Sequence, residues 1–167
     1  GQADQSAKDF ASATEIFLDL VARAWDELNA GHLHAASQVA AKAMRVDASN
    51  WEPYLIAGIS SFRQDDFEES MSCLRQAARL NPNSAQVFGG LAELYERKDN
   101  WEEAFKNYAK AIALAPEDFD YKIRAGLVCV KANVPDQGID LLRKALQIDP
   151  NHQGVKWALG VALSESA

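Results

Sequence analysis

Small side chains recur along this sequence at a fixed interval of 34 residues, counted from Phe17, Trp51, Ala85, Phe119 and Gln153. The eighth position of each segment is Ala24, Gly58, Ala92, Gly126 and Gly160. The twentieth is Ala36, Ser70, Ala104 and Gly138, and the twenty-seventh is Ala43, Ala77, Ala111 and Ala145. The thirty-second is Ala48, Pro82, Pro116 and Pro150. No insertion interrupts the steps. A strict period of this length means stacked supersecondary units, each too small to bury its own apolar face and each covered by its neighbours.

The content of one period is clearest in Ala85–Asp118. Phe88, Leu91, Ala92 and Tyr95 share one helical face; Lys98-Asp99-Asn100 then make a turn; Ala104, Tyr108 and Ala111 form a second face, and Pro116 closes the unit. Positions eight and twenty are small because two paired helices approach most closely there. The proline follows the second helix, cannot continue it, and turns the chain into the next unit. Asp66 and Asn100 precede second helices and suit N-caps, with Glu69 and Glu103 three residues on. Pro53 and Pro135 fall at helix starts, where the missing amide costs little.

Helix, turn and helix with large, small and aromatic residues at these offsets resemble the tetratricopeptide repeat. The resemblance runs from Phe17 to the C-terminus, as repeats 17–50, 51–84, 85–118 and 119–152 and a final helix 153–165. It implies an all-α, right-handed superhelical solenoid of antiparallel helix pairs, about nine helices in one domain over residues 13–167. Repeat one departs from the pattern: Arg23 and Glu27 stand where apolar residues are expected, and Ala48 replaces the proline. An atypical terminal repeat and a one-residue slip of its first helix both account for this. Residues 1–12 read as a tail. A capping box, Ser12 to Glu15, starts a helix near Ala13 that ends before Gly31, and a second helix spans Leu33–Val46. The final helix either caps the solenoid or leads into further chain.

Composition narrows the function. Apolar residues make up 48%, enough for a core, so disorder is not expected. Seventeen basic against 24 acidic residues give a net charge of −7 with no basic run, which argues against nucleic acid and anionic membrane surfaces as partners. No apolar run approaches the ~20 residues of a membrane span. Cys73 and Cys129 occupy non-equivalent offsets in different repeats and read as two buried thiols, which leans towards a reducing, cytoplasmic setting over a periplasmic or secreted one. The chain begins Gly-Gln, so no leader is legible either way. His32 and His34 share a turn but lack a neighbouring ligand cluster for a metal. There is no nucleophile elbow or phosphate loop, and Gly89-Gly90 falls mid-helix. Acidic pairs such as Glu68-Glu69 and Glu102-Glu103 open second helices, where they suit the helix dipole. The expectation is no enzyme, no cofactor and no metal.

A binding face is legible instead. Positions four, seven, eight and eleven of a first helix face its partner; positions two, five, nine and twelve share another face, rotated by roughly a third of a turn. In the proteins this chain resembles, that second face lines the concave side and holds ligands. Here it carries Val21, Trp25 and Leu28; Leu55, Ile59 and Phe62; Gly89, Glu93 and Glu96; Ile123, Leu127 and Val130; and Trp157 and Val161. The family's carboxylate clamp, built of Lys and Asn on this face, is missing: Leu55, Ile59, Gly89 and Glu93 occupy clamp-type positions, and Arg124 matches one cation only. The expectation is a protein-interaction scaffold that holds an apolar or amphipathic segment on this face, with Glu93, Glu96 and Lys131 setting its orientation. Gly89 and Gly90 either leave a central pocket for a bulky ligand side chain or let neighbouring first helices pack tightly. The apolar stripes are either exposed or covered by the next repeat. The segment bound is another protein's, the chain's own N-terminal stretch with Phe10, or a second copy. The alternative function is a structural assembly module that self-associates through terminal helices and convex surface.

Overall fold

The computed structural model describes residues 2–165, with side chains from Ser12 onward. Among the described residues the elements are helices: α1 (Gln2–Asn29), α2 (Leu33–Val46), α3 (Glu52–Arg63), α4 (Phe67–Leu80), α5 (Ala85–Arg97), α6 (Trp101–Leu114), α7 (Phe119–Lys131), α8 (Pro135–Ile148) and α9 (Gln153–Glu165). This is the all-α repeat fold that the period implies, and α2 to α9 begin within a residue or two of the expected places. The first helix differs. It starts at Gln2, so Ser12 lies inside it and caps nothing. Phe10, offered above as a groove filler, falls outside the residues whose side chains are described.

Two compact bodies divide the chain, residues 1–82 and 83–167. In the first, α1 pairs with α2 and α3 with α4, and α3 also packs on α1 and α2. Phe17, Val21, Ala24 and Leu28 of α1 meet Ala36, Val39, Ala40 and Ala43 of α2 and Ile56 and Ala57 of α3. Ala24 is buried at the eighth position, so repeat one keeps its register without a slip. Its apolar stripe is displaced instead. α1 has no preceding second helix beside it among the described residues, so Arg23 stays in solvent with Asp19, and Glu27 accepts from His32 at 2.8 Å.

In the second body α5 pairs with α6, α7 with α8, and α9 packs on both α7 and α8. Here the close approach of paired helices is visible atom by atom. A Cβ on Gly126 would lie 2.7 Å from Leu142 Cγ, and one on Gly138 would lie 2.5 Å from the Gly126 carbonyl oxygen. The first body uses the same device: a Cβ on Gly58 would meet Leu74 Cγ at 2.7 Å, and the Ser70 hydroxyl donates to the Gly58 carbonyl at 2.8 Å.

Caps and turns follow local chemistry. Asp66 and Asn100 accept from the amides of Glu69 and Glu103 at 3.1 and 3.3 Å. The two glutamates do not reach back: Glu69 accepts from the Cys73 thiol and Glu103 pairs with Lys106. Each turn within a pair passes through one left-handed residue at position fifteen: Gly31 (φ 81°), Asp65 (60°), Asp99 (53°) and Asn133 (60°). Gly, Asp and Asn are the residues that enter this conformation at least cost. That column was readable in the sequence and is a further mark of the period.

Candidate interaction surface

The first-helix face is not uniformly open. In the first body Leu55 is fully buried and Val21 nearly so, which places both in the core and removes them from any contact surface. Leu28 is buried with them. Trp25 and Ile59 are half-buried against the same core, and half-buried Phe62 packs its ring on Phe67 at 5.9 Å. For Val21 the reason is the one left open above: position five of α1 lies in the core shared with Ile56 and Ala57 of α3.

The second body corrects the central pocket. Gly89 is buried, and a Cβ there would lie 2.5 Å from Cε1 of Tyr121. The tyrosine ring fills the space, so Gly89 makes room for Tyr121 and leaves no cavity for a ligand; Gly90 beside it is half-buried. Tyr121 lies in another repeat and the contact has no signature within a single helix, which is why periodicity alone did not find it.

Beside Tyr121 the polar residues form one network. Glu93 and Glu96 of α5 pair with Arg124 of α7 at 3.3 and 3.8 Å, and Lys131 stands 4.0 Å from Glu96 and over the Trp101 ring. The Tyr108 hydroxyl, from the core of the α5–α6 pair, donates to Glu96. Burial, reinforced by the Glu96 hydrogen bond, raises the Tyr108 pKa well above the ordinary tyrosine range, so the hydroxyl stays a donor at any physiological pH. Arg124, read above as a lone clamp-type cation, is thus held by two carboxylates.

Next to this network runs an apolar strip. Ile123, Leu127 and Val130 of α7 are half-buried against the core of α8 and α9, and Val161 of α9 is half-buried. Gly154 lets α9 come close, since a Cβ there would lie 2.9 Å from Ile123 Cδ1. Trp157 remains 62% exposed. The surface therefore offers half-buried apolar residues on α7 and α9, an exposed tryptophan on α9 and paired charges between α5 and α7.

The chemistry of sites is sparse. His34 meets Gln38 at 3.0 Å and His32 is engaged by Glu27. Cys73 and Cys129 are both free and buried. Burial pushes the Cys129 thiol from its ordinary 9.0 up to about 11. Between those values the unfolded chain releases the proton and the folded chain keeps it, so this group removes stability as pH rises from 9.0 to about 11. Neither thiol is expected to react with Ellman's reagent in the folded protein at pH 7.5, and both are expected to react in 8 M urea (roughly the concentration that unfolds most small domains). Rapid labelling without denaturant would show that the helix pairs open locally.

The family model for the tetratricopeptide repeat matches residues 57–119 and 90–153, together more than half of the chain. The chain belongs to the tetratricopeptide-repeat family. Among relatives, the peroxisomal targeting signal receptor of Saccharomyces cerevisiae is 28% identical over 83 residues, which cover 50% of this chain and 14% of the receptor. The solved structure of Pseudomonas aeruginosa pilF superposes with a TM-score of 0.81 at 18% identity, over 93% of this chain and 71% of that one. The structure described as YrrB, a TPR protein with an unusual peptide-binding site, has a TM-score of 0.77 at 18% identity, over 96% and 82% of the two chains. The chain thus spans a small part of the receptor's length, and its likeness to the solved structures is one of fold. Tetratricopeptide repeats bind other proteins and are typically scaffolds without catalysis. No helix among the described residues is long and apolar enough to cross a membrane.

Proposed function

We propose that this chain is a non-catalytic scaffold that binds an apolar or amphipathic peptide or helix on the first-helix face of its second body. The observation that carries the reading is Trp157: a tryptophan 62% exposed on α9, four residues before half-buried Val161 on the same helix. Large aromatics are costly to leave in water and are the residues on which interface energy concentrates. The Glu93–Arg124–Glu96–Lys131 network between α5 and α7 offers both signs of charge, which suits an amphipathic ligand whose polar side fixes its direction. Membership of a family that binds proteins, and a fold shared with a peptide-binding structure, support the same reading.

Selection of a random peptide display library on the purified chain tests this. The enriched sequences are expected to be apolar at helical or alternating spacing. They are expected to bind Trp157→Asp about tenfold or more weakly, the loss typical of a removed anchor, with helicity unchanged by circular dichroism. Gln147→Ala, an exposed position on α8, should leave their affinity as it is. If no sequences enrich, or if the enriched peptides ignore Trp157, the strip is packing surface only. Self-association that rises with concentration in light scattering and is abolished by Trp157→Asp would favour the assembly role instead.

A further inference from the structure

The groove between α2 and α4 departs from the repeat pattern at its most important filling residue. Position twenty-one, on the second helix, is Met71, Phe105 and Ile139 in repeats two to four, and Ser37 in repeat one. At the equivalent place of the second body, Phe105 of α6 and Leu141 of α8 pack against the core that holds Tyr108, Ala125 and Val128. Two periods earlier the same positions are Ser37 and Cys73. Serine for phenylalanine and cysteine for leucine leave a slot of about 390 Å³. Ala57 and Ser61 of α3 line its floor, and Ser37, Ala41, Ser72 and Cys73 line its two walls. A solenoid grows at its ends, so neither preceding nor following chain adds a repeat between α2 and α4.

The slot also carries an unmet polar group. The Ser37 hydroxyl is enclosed and has no hydrogen-bond partner among the described residues. A buried hydroxyl left without a partner costs free energy, and folded proteins keep few of them. The Cys73 thiol, on α4, is already engaged, donating to Glu69 at 3.4 Å. Charge marks the two ends of the slot. Glu69 stands in the first turn of α4 and Arg79 in its last, and both line the opening. Ten residues of helix set them ~15 Å apart.

We infer that this slot binds the tyrosine side chain of an extended segment from a separate partner, with a basic residue two positions to one side of the tyrosine and an acidic residue two positions to the other. The ring takes the space that Phe105 occupies in the second body. There the ring grows from the helix. Here it enters from solvent with its far end at Ser37, so that end must carry a hydrogen-bonding group, as the ring of tyrosine does and that of phenylalanine does not. Alternate residues of an extended chain share one face, and those two before and two after the tyrosine lie ~13 Å apart. Glu69 and Arg79 offer a negative and a positive charge over a similar span. A docked helix, roughly 10 Å across, is too wide for this volume. Among the described residues short turns join one helix to the next, so this chain offers no extended segment of its own.

The probe is a blocked pentapeptide, acetyl-Lys-Ser-Tyr-Ser-Asp-amide, with the reverse order as a second arm. So short a segment buries little area, so the complex exchanges quickly and is best read by chemical shift. Titrated into the isotopically labelled chain, at least one order is expected to shift the amides of Ser37, Ala57 and Ser72. Phenylalanine in place of tyrosine should weaken it about fivefold to tenfold, the worth of one hydrogen bond. Ser37→Ala should weaken the tyrosine peptide alone and bring the two peptides level. Ser37→Phe should abolish binding of both, since the slot is then filled from within as it is at Phe105, with helicity unchanged by circular dichroism. Should that variant unfold, Ser37→Ala, which only deletes an atom, carries the test. Absence of shifts at the slot would overturn the inference, because water or the chain's own residues then fill it. Equal binding of the tyrosine and phenylalanine peptides by wild type would overturn it as well, as would shifts confined to Trp157 and the second body. Binding of p-cresol as tight as that of the peptide would make the ligand a free phenol and refute docking of a segment.

Discussion

Gly138→Ala is expected to destabilise the protein by about 2 kcal/mol, although alanine is the better helix former by ~1 kcal/mol. The added methyl would sit 2.5 Å from the Gly126 carbonyl oxygen and 3.0 Å from Cys129 Cβ. A backbone oxygen has no rotamer to escape into, so α7 and α8 must separate along their length, and the packing of α9 against both loosens with them. The same substitution at Gly160 should act in the opposite sense. That glycine is also helical but faces open space, so Gly160→Ala is expected to stabilise by roughly 0.5–1 kcal/mol. Urea denaturation followed by circular dichroism reads both as shifts of midpoint at unchanged slope. If the two variants move in the same direction, helix propensity outweighs the close approach and the small columns have been misread.

Leu142→Ala should cost about 3 kcal/mol, the usual loss for a fully buried leucine. Adding Gly126→Ala to it should recover part of that loss, because the new methyl enters the space the leucine vacated. The chain itself carries the precedent, since repeat one solves the same contact with Ala24 and Ala40, both buried. On its own, Gly126→Ala would press on Leu142 at 2.7 Å and should destabilise. A double-mutant cycle is therefore expected to show favourable coupling of roughly 1 kcal/mol or more between the two sites. Additive effects would mean that the glycine and its leucine do not act as one unit.

The two experiments share a cause. At Gly58 and Gly126 the small residue at position eight is complementary to the leucine at position twenty-four.

The sequence alone determined the helix pairs, their boundaries and their family, because those rest on interactions within about one repeat. A 34-residue period, capping residues such as Asp66 and Asn100, prolines after second helices and the Gly/Asp/Asn residues of the turns all act through near neighbours in the chain. It also named the face on which Trp157, Leu127 and Val161 stand. It misplaced the start of α1, since the Ser12 capping pattern is a weak local preference that a continuing helix overrides. The tertiary structure alone decided which residues of that face remain available. Leu55 and Val21 are buried, Tyr121 occupies the space above Gly89, and Arg124 is taken up by Glu93 and Glu96. Helical periodicity fixes the direction of a side chain from its own axis. Whether another helix already lies in that direction depends on contacts between repeats, and a one-dimensional pattern does not carry them.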